Sequence, residues 1–205
     1  HLNQRSEMLS GISHDLRTPL TRIKLQIAMI KDKAVVEKLT RDVDEMEKML
    51  NEYLEFARSG AKDKTETFNI SELIDDICKK YEKTNLKYHL KERIYFDGRK
   101  NLISRCISNL IDNSLKFGDN VELNLKRGRS TINISIEDDG PGIPKNEHQN
   151  VLKPFYKIDK SRSETKSSVG LGLAISSDVV KSHGGDLKFD KSSLGGLKVI
   201  ISLPV

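Results

Sequence analysis

Two apolar stripes constrain this chain more than any other feature. The first runs Met8, Ile12, Leu16, Leu20, Ile23, Ile27, Ile30, and the second Val36, Leu39, Val43, Met46, Leu50, Tyr53, Ala57. Steps of three and four put each set along one side of a helix. Few residues separate the stripes, around Lys31-Asp32-Lys33, so the two helices are expected to form an antiparallel hairpin. Two helices alone cannot cover both stripes. A second copy completes a four-helix bundle, so a homodimer is expected.

The remainder reads differently. Ser59 to Thr67 is rich in Lys, Gly, Ser and Thr with no apolar period, and reads as a linker. The expected organisation is a helical domain over 1–60, a linker over 61–67 and a second domain over 68–205. In the second domain Ser71 is placed to cap a helix running to about Tyr81. Short strands are expected near 87–90 and 93–96, and a helix over 100–117. Val121–Leu125 and Ile132–Ile136 alternate strictly around Arg127-Gly128-Arg129-Ser130, which predicts a hairpin. A further helix is expected from Gly170 to about His183, then strands at 187–189 and 197–203. The expected fold class is multidomain, α followed by α+β: a dimeric helical bundle, then a sheet covered on one face by helices.

Bulk properties narrow the function. Of 205 residues 35 are basic and 30 acidic, a formal charge of +5. The basic residues are interspersed with acids, so mild attraction to anionic ligands is expected and a nucleic-acid stripe is not. No run approaches the length of a membrane span, and no signal peptide is visible. The chain starts at His1 and not Met, which suggests a fragment. Cys78 and Cys106 have neither metal-ligand spacing nor disulfide density; burial as small apolar groups in a reducing cytosol fits them.

Ser13-His14-Asp15-Leu16-Arg17-Thr18-Pro19-Leu20 carries the first chemistry. His14 is two residues from both Ile12 and Leu16, so it projects away from the packed stripe. A neutral imidazole is a nucleophile, and Asp15 is placed to hold its tautomer. Thr18 follows one turn later on the same face, with a hydroxyl able to orient water or to bond a backbone carbonyl.

Three downstream segments read as one pocket. Asn109, Asn113 and Lys116 share a helix face, with amide oxygens for a hard cation or its waters and an ammonium for phosphate. Ile103, Ile107, Leu110, Ser114 and Phe117 form the adjoining, mostly apolar face. Asp138-Asp139-Gly140-Pro141-Gly142 follows a strand; a carboxylate there can accept an adenine amino group, and glycines let backbone approach a base. Gly170-Leu171-Gly172-Leu173 opens a helix whose free N–H groups favour phosphate. No Gly-x-x-x-x-Gly-Lys-Ser/Thr occurs, which excludes a P-loop.

With those segments in that order, the chain resembles the sensor histidine kinases of two-component signalling over essentially its whole length. Specifically it resembles a HisKA dimerisation and phosphotransfer domain followed by a GHKL, Bergerat-type ATP-binding sandwich. The Ser13–Ile23 run and the closing Gly195-Gly196-Leu197…Leu203-Pro204-Val205 are similar to the EnvZ-like osmosensor subfamily. The resemblance implies ATP and Mg²⁺ as cofactors. It makes His14 the phospho-acceptor, with Asp15 and Thr18 beside it, and Asn113 the Mg²⁺ ligand. It assigns Asn109, Lys116, Phe117, Asp138, Gly140, Gly142, Lys157, Gly170, Leu171 and Gly172 to the nucleotide, with Asp138 reading adenine and Lys157 closing the Pro154-Phe155-Tyr156-Lys157 box. It implies a response-regulator receiver domain of the OmpR-like class as partner, a phosphatase activity toward that partner, and the cytoplasmic part of a bacterial inner-membrane sensor. The chain departs from the family at Ser168, Ser114, Phe117 and Lys157, where Gly, Ala, Tyr and Arg are common. The competing readings are a dimeric binding module that does no chemistry and an ATPase outside signalling; retained His14, Asn113 and Asp138 argue against the first, and His14 against the second.

Overall fold

The computed structural model describes residues 18–62, 64–90, 92–158 and 170–205. His14 and Asp15 lie outside the described residues. The chain divides into two compact units, the first ending at Lys62.

The first unit is a helical hairpin. Helix α1 is described over 18–27, and α2 spans Lys33–Lys62. The turn begins where Met29 N–H donates to Gln26 O and Ile30 N–H to Ile27 O, tightening the last turn of α1. Asp32 then caps α2: its Oδ1 accepts from Ala34 N–H at 3.0 Å and Val35 N–H at 3.3 Å. Leu20, Ile27 and Val43 form a small core, with Val36 and Leu50 packed on it. Lys24 bridges the helices to Asp44 at 2.8 Å and Glu47 at 2.6 Å. The two stripes are only partly consumed. Ile23, Ile30, Leu39 and Met46 belong to them yet stay exposed, as do Leu25 and Val35; Met29 is 83 % exposed.

Two differences from the sequence reading follow at the junction. Helix α2 continues through Ser59–Lys62, where glycine and serine suggested a linker. Strand β1, Glu66–Asn69, starts within the expected linker and pairs antiparallel with β3, Tyr95–Gly98. Its polar start hid it, since only Phe68 and Asn69 turn inward; Phe68 meets Phe96 edge-on at 5.9 Å.

The second unit is a sheet covered by three helices, α3 (Ile70–Cys78), α4 (Lys100–Phe117) and α5 (Gly172–Ser182). Its five strands lie in the order β2-β4-β5-β7-β6, with β2 at Leu86–Leu90, β4 at Val121–Arg127, β5 at Thr131–Asp138, β6 at Asp186–Lys191 and β7 at Leu197–Pro204. The β4–β5 hairpin forms as the alternation predicts, Val121 opposite Asp138 and Arg127 opposite Ile132. Its inward residues, among them Leu123, Leu125, Ile132, Ile134 and Ile136, are buried, while Asn124, Asn133 and Ser135 on the other face are partly exposed. Each fully buried aliphatic side chain contributes about 1.5–3 kcal/mol. One pairing differs from the others in the sheet: β2 runs parallel to β4. The connection passes through β3 and α4, the long crossover that a parallel neighbour requires.

Capping of α3 is also corrected. Asn69, not Ser71, is its N-cap, accepting from Ser71 N–H and Glu72 N–H. Ser71 instead donates its Oγ to Glu92 O at 2.7 Å and accepts from Ile94 N–H, tying α3 to the β2–β3 connection. The helix yields to a 3₁₀ turn over Lys79–Tyr81.

Helices α4 and α5 run antiparallel, fixed at two levels. Arg99 N–H donates to His183 Nε2 at 3.0 Å, and His183 Nδ1 lies 2.8 Å from Val179 O, so the ring carries its proton on Nδ1. Burial lowers the His183 pKa and favours that neutral form. Seven residues along α4, Ser176 Oγ donates to Cys106 O at 3.4 Å. Cys78 and Cys106 are buried, and burial pushes both thiols up to about 12. Both behave as the small apolar groups that their sequence setting suggests.

Candidate functional site

The antiparallel register of α4 and α5 does more than pack a core. Arg99 sits by His183 and Cys106 by Ser176. With equal rise per residue in both helices, the same register brings Gly172, the first residue of α5, level with Leu110. Asn109 and Asn113 flank that level, both partly exposed. The start of α5 therefore lies level with the stretch of α4 that carries the two asparagines.

Among the described residues nothing covers that helix start. Leu171 precedes it without a side-chain cap, and no acidic residue occupies the first turn. A Cβ on Gly172 would meet nothing within 4 Å. Uncapped N–H groups at the positive end of a helix dipole form an anion site. Gly170 just before it has φ +75, and a Cβ there would lie 2.9 Å from Tyr156 O. Its carbonyl accepts from Phe155 N–H at 3.0 Å. This joins the Pro154–Lys157 box to the glycine segment. Lys157 is partly exposed. Tyr156 is set by Glu147, whose Oε2 accepts from Tyr156 Oη at 2.6 Å and Asn150 Nδ2 at 3.1 Å; the two bonds hold the Glu147 carboxyl below its usual range.

At the end of β5 two adjacent carboxylates divide the work. Asp139 turns to the exit of α4. Its Oδ1 accepts from Asp119 N–H at 2.8 Å and Asn120 N–H at 2.9 Å, and its Oδ2 from Asn120 Nδ2 at 2.7 Å. These donors, those of Asn120 foremost, lower its pKa. Asp138 is 3 % exposed. Its Oδ1 accepts from Gly140 N–H and Leu197 N–H, both at 3.0 Å. Among the described residues Oδ2 receives no donor, which leaves an acceptor for a ligand. Gly142 follows with φ +71.

Phe117 departs from expectation. It is 48 % exposed and takes no part in the apolar face of α4. Its ring lies 5.5 Å from Lys116 Nζ. The helix ends there, with Gly118 N–H donating to Ser114 O, and the last side chain projects past the core. Thr18 is exposed on α1.

The sequence reading did not foresee that the β6–β7 turn belongs to this site. Gly196 N–H donates to Asp138 O at 3.1 Å. A Cβ on Gly196 would lie 2.5 Å from both Asp138 Oδ1 and Gly140 N, so only glycine fits. The Gly195-Gly196 pair was visible, but nothing local tied it to the carboxylate of Asp138, remote in sequence. Gly196→Ala is accordingly expected to displace Asp138. Stability should fall by about 1–3 kcal/mol through overpacking, and ADP affinity at least tenfold. Thermal unfolding and ADP titration check both; unchanged ADP affinity would detach the turn from the site.

Comparison with known proteins identifies the family. Residues 98–205 match the family described as histidine kinase-, DNA gyrase B-, and HSP90-like ATPase, and residues 4–62 match the His Kinase A (phospho-acceptor) domain. The sensor histidine kinase GtrS of Pseudomonas aeruginosa is 31 % identical over 206 residues, covering 100 % of this chain and 43 % of GtrS. The sensor histidine kinase CpxA of Escherichia coli is 28 % identical over 220 residues, covering 100 % of this chain and 48 % of CpxA. Among solved structures, full-length ShkA in complex with AMPPNP superposes with a TM-score of 0.74 at 20 % identity, over 97 % of this chain and 45 % of ShkA. The mycobacterial sensor histidine kinase MprB gives 0.60 at 26 % identity, over 69 % of this chain and 97 % of that one. The chain belongs to the sensor histidine kinase family, with a phospho-acceptor domain followed by an ATPase-type domain. It spans about half the length of the curated relatives it matches.

Proposed function

We propose that this chain phosphorylates His14 from Mg²⁺-ATP and passes the phosphoryl group to an aspartate on a response-regulator receiver domain. The observation that supports the reading is the α4–α5 register, which brings the start of α5 level with Leu110, between Asn109 and Asn113 along α4. Asp138 accepts the adenine amino group on Oδ2. Lys116, Lys157 and the N–H groups opening α5 hold phosphate. Asn113, with Asn109 near it, suits Mg²⁺. Among the described residues no three His, Cys, Asp or Glu cluster as a metal cage. A few neutral oxygens plus phosphate and water are what Mg²⁺ commonly takes; the ion neutralises charge on the transferring group.

In the transfer a ring nitrogen of His14 attacks the γ-phosphorus. The bond from that phosphorus to the β-bridging oxygen breaks, and ADP leaves with the electron pair. Asp15 holds the imidazole and stabilises the cation that forms until the proton goes to solvent. The regulator's aspartate then takes the phosphoryl group from nitrogen and frees His14. The ATP-binding part, from β1 onward, reaches the acceptor by turning about the short connection between α2 and β1. The exposed apolar residues of α1 and α2 support pairing of domain 1–60 with a second copy. The EnvZ-like assignment, an OmpR-like partner and a place on the cytoplasmic side of a bacterial inner membrane are parts of the same proposal, motivated by the sequence motifs; among the described residues no helix is long and apolar enough to cross a membrane.

Incubation with γ-labelled ATP and Mg²⁺ tests the reading. An acid-labile, base-stable phosphate on the chain is expected, moving to a receiver domain when one is added. A chain that binds ATP and takes no label would be a binding module instead. A phosphatase activity is the finer proposal, with the Thr18 hydroxyl orienting water toward the regulator's aspartyl phosphate. Thr18→Ala is expected to slow regulator dephosphorylation about tenfold or more while labelling of the chain continues. If both fall together, Thr18 supports the helix and not the water.

A further inference from the structure

We infer that Glu137, through Lys198 and the β6–β7 turn, is a positioning residue for purine recognition by Asp138. The inference rests on the base-reading role proposed above for Asp138. Successive strand residues face opposite sides of a sheet. In β5 the register puts Asp138 on the helix-covered face with Ile136, and Glu137 on the open face between Glu122 and Lys198. Glu137 therefore cannot touch a base bound by Asp138. Yet both carboxylates bond one turn. Glu137 Oε2 accepts from Ser193 N–H and Ser193 Oγ, each at 2.9 Å, and Oε1 pairs with Lys198 Nζ at 2.8 Å. Three residues on, the other foot of the turn delivers Gly196 N–H to Asp138 O and Leu197 N–H to Asp138 Oδ1. Within the turn Ser192 N–H donates to Gly196 O, and Leu194 N–H to Ser192 Oγ. Its two feet are thus fixed to neighbouring residues of a single strand.

The chemistry of Glu137 argues for position over stability. It is 5 % exposed. Burial alone would raise its carboxyl, but Lys198 and the Ser193 donors outweigh burial and hold it below the usual range. A buried ion pair gains little over an apolar pair of the same shape. What it secures is geometry: Leu197 N–H occupies Asp138 Oδ1, which directs Oδ2 toward the base. Without Glu137 the Ser193 foot is released, Oδ1 loses a fixed donor, and the carboxylate can rotate.

The test compares ADP with IDP, which carries a 6-oxo group where adenine has its amino group. Each displaces a fluorescent ATP analogue from the full chain in Mg²⁺. Glu137→Ala is expected to lower the ADP-over-IDP preference about tenfold, the size of one charge-assisted hydrogen bond, while IDP affinity stays put. A general structural role would weaken both nucleotides together, and that result, or no change, overturns the inference. If Glu137→Ala does not fold, Lys198→Met carries the test: it keeps the aliphatic stem, removes only the cation, and should lower the preference about threefold; an unchanged preference there overturns the inference too. Asp138→Asn separates the two levels. Loss of preference in Asp138→Asn but not in the Glu137 or Lys198 variants defeats only the present inference. Full preference retained in Asp138→Asn defeats the base-reading role, and this inference with it.

Discussion

His14→Ala is expected to abolish phosphorylation of the chain while ADP binding and self-association remain at wild-type levels. By helical period His14 falls off the apolar stripe of its run, so its loss is expected to open no cavity. The nucleophile itself disappears, and nothing replaces it. The sequence has five histidines. His183 has both ring nitrogens engaged, by Arg99 N–H and Val179 O. His148 Nε2 lies 3.1 Å from Ile143 O, and its ring packs on Phe189. His89 sits on the edge strand β2 with Nε2 3.7 Å from Glu122. None of these three has the Ser-His-Asp setting that the sequence gives His14. The measurement is acid-labile label from γ-labelled ATP, read beside ADP titration and sedimentation. Label persisting at wild-type level in the variant would falsify the acceptor role.

Much of this architecture was legible because its signals are local. Strict alternation in Val121–Leu125 and Ile132–Ile136 gives a hairpin, since strand side chains repeat every two residues. The stripe through Ile103, Ile107 and Leu110 gives α4 with its bounds, and the placement of Asn109 and Asn113 on one face follows from helical period alone. Even the exposed Met46 and Ile23 agree with the reading that one hairpin cannot bury both stripes. What escaped depends on partners far along the chain. Strand β1 is polar at its start and becomes a strand only because β3 lies beside it. The parallel β2–β4 pair is set by where the crossover returns. Asn69 displaced Ser71 as the cap because Glu92 and Ile94, on another connection, claimed the serine hydroxyl. Phe117 looked like a stripe residue, but helix termination at Gly118 leaves its ring outside.

The site divides along the same line. Asp138, the glycines after it and the opening of α5 each announce themselves in a few residues. Their assembly does not. It depends on Arg99 meeting His183, on Asp139 holding the α4 exit, and on the β6–β7 turn reaching Asp138. Each of these bonds has as donor a backbone N–H, which every residue type but proline carries, from a residue remote in sequence. A pattern of side chains shows the acceptor and gives no sign of which N–H will meet it.

Asp138→Asn is expected to lower ADP affinity about 100-fold and to shift preference toward a 6-oxo purine. Loss of charge accounts for part, since a hydrogen bond to a charged acceptor contributes about 1.5–3 kcal/mol. Orientation supplies the rest. Gly140 N–H and Leu197 N–H both point at Oδ1 from 3.0 Å. An amide NH₂ cannot occupy that position against two donors, so the asparagine oxygen must. Its NH₂ then takes the Oδ2 position and faces the base as a donor. Adenine presents an amino donor there, and the two repel. Inosine or guanine presents a carbonyl oxygen, which the NH₂ can meet. IDP should therefore lose far less affinity than ADP, and the ratio of the two should invert relative to wild type. The fold is expected to persist, because both backbone donors keep an oxygen partner; a fall in stability of about 1 kcal/mol is anticipated from the weaker acceptor. Displacement titrations with ADP and IDP, read beside thermal unfolding, check the three outcomes together. Equal losses for ADP and IDP would mean that the carboxylate shapes the pocket without touching the amino group.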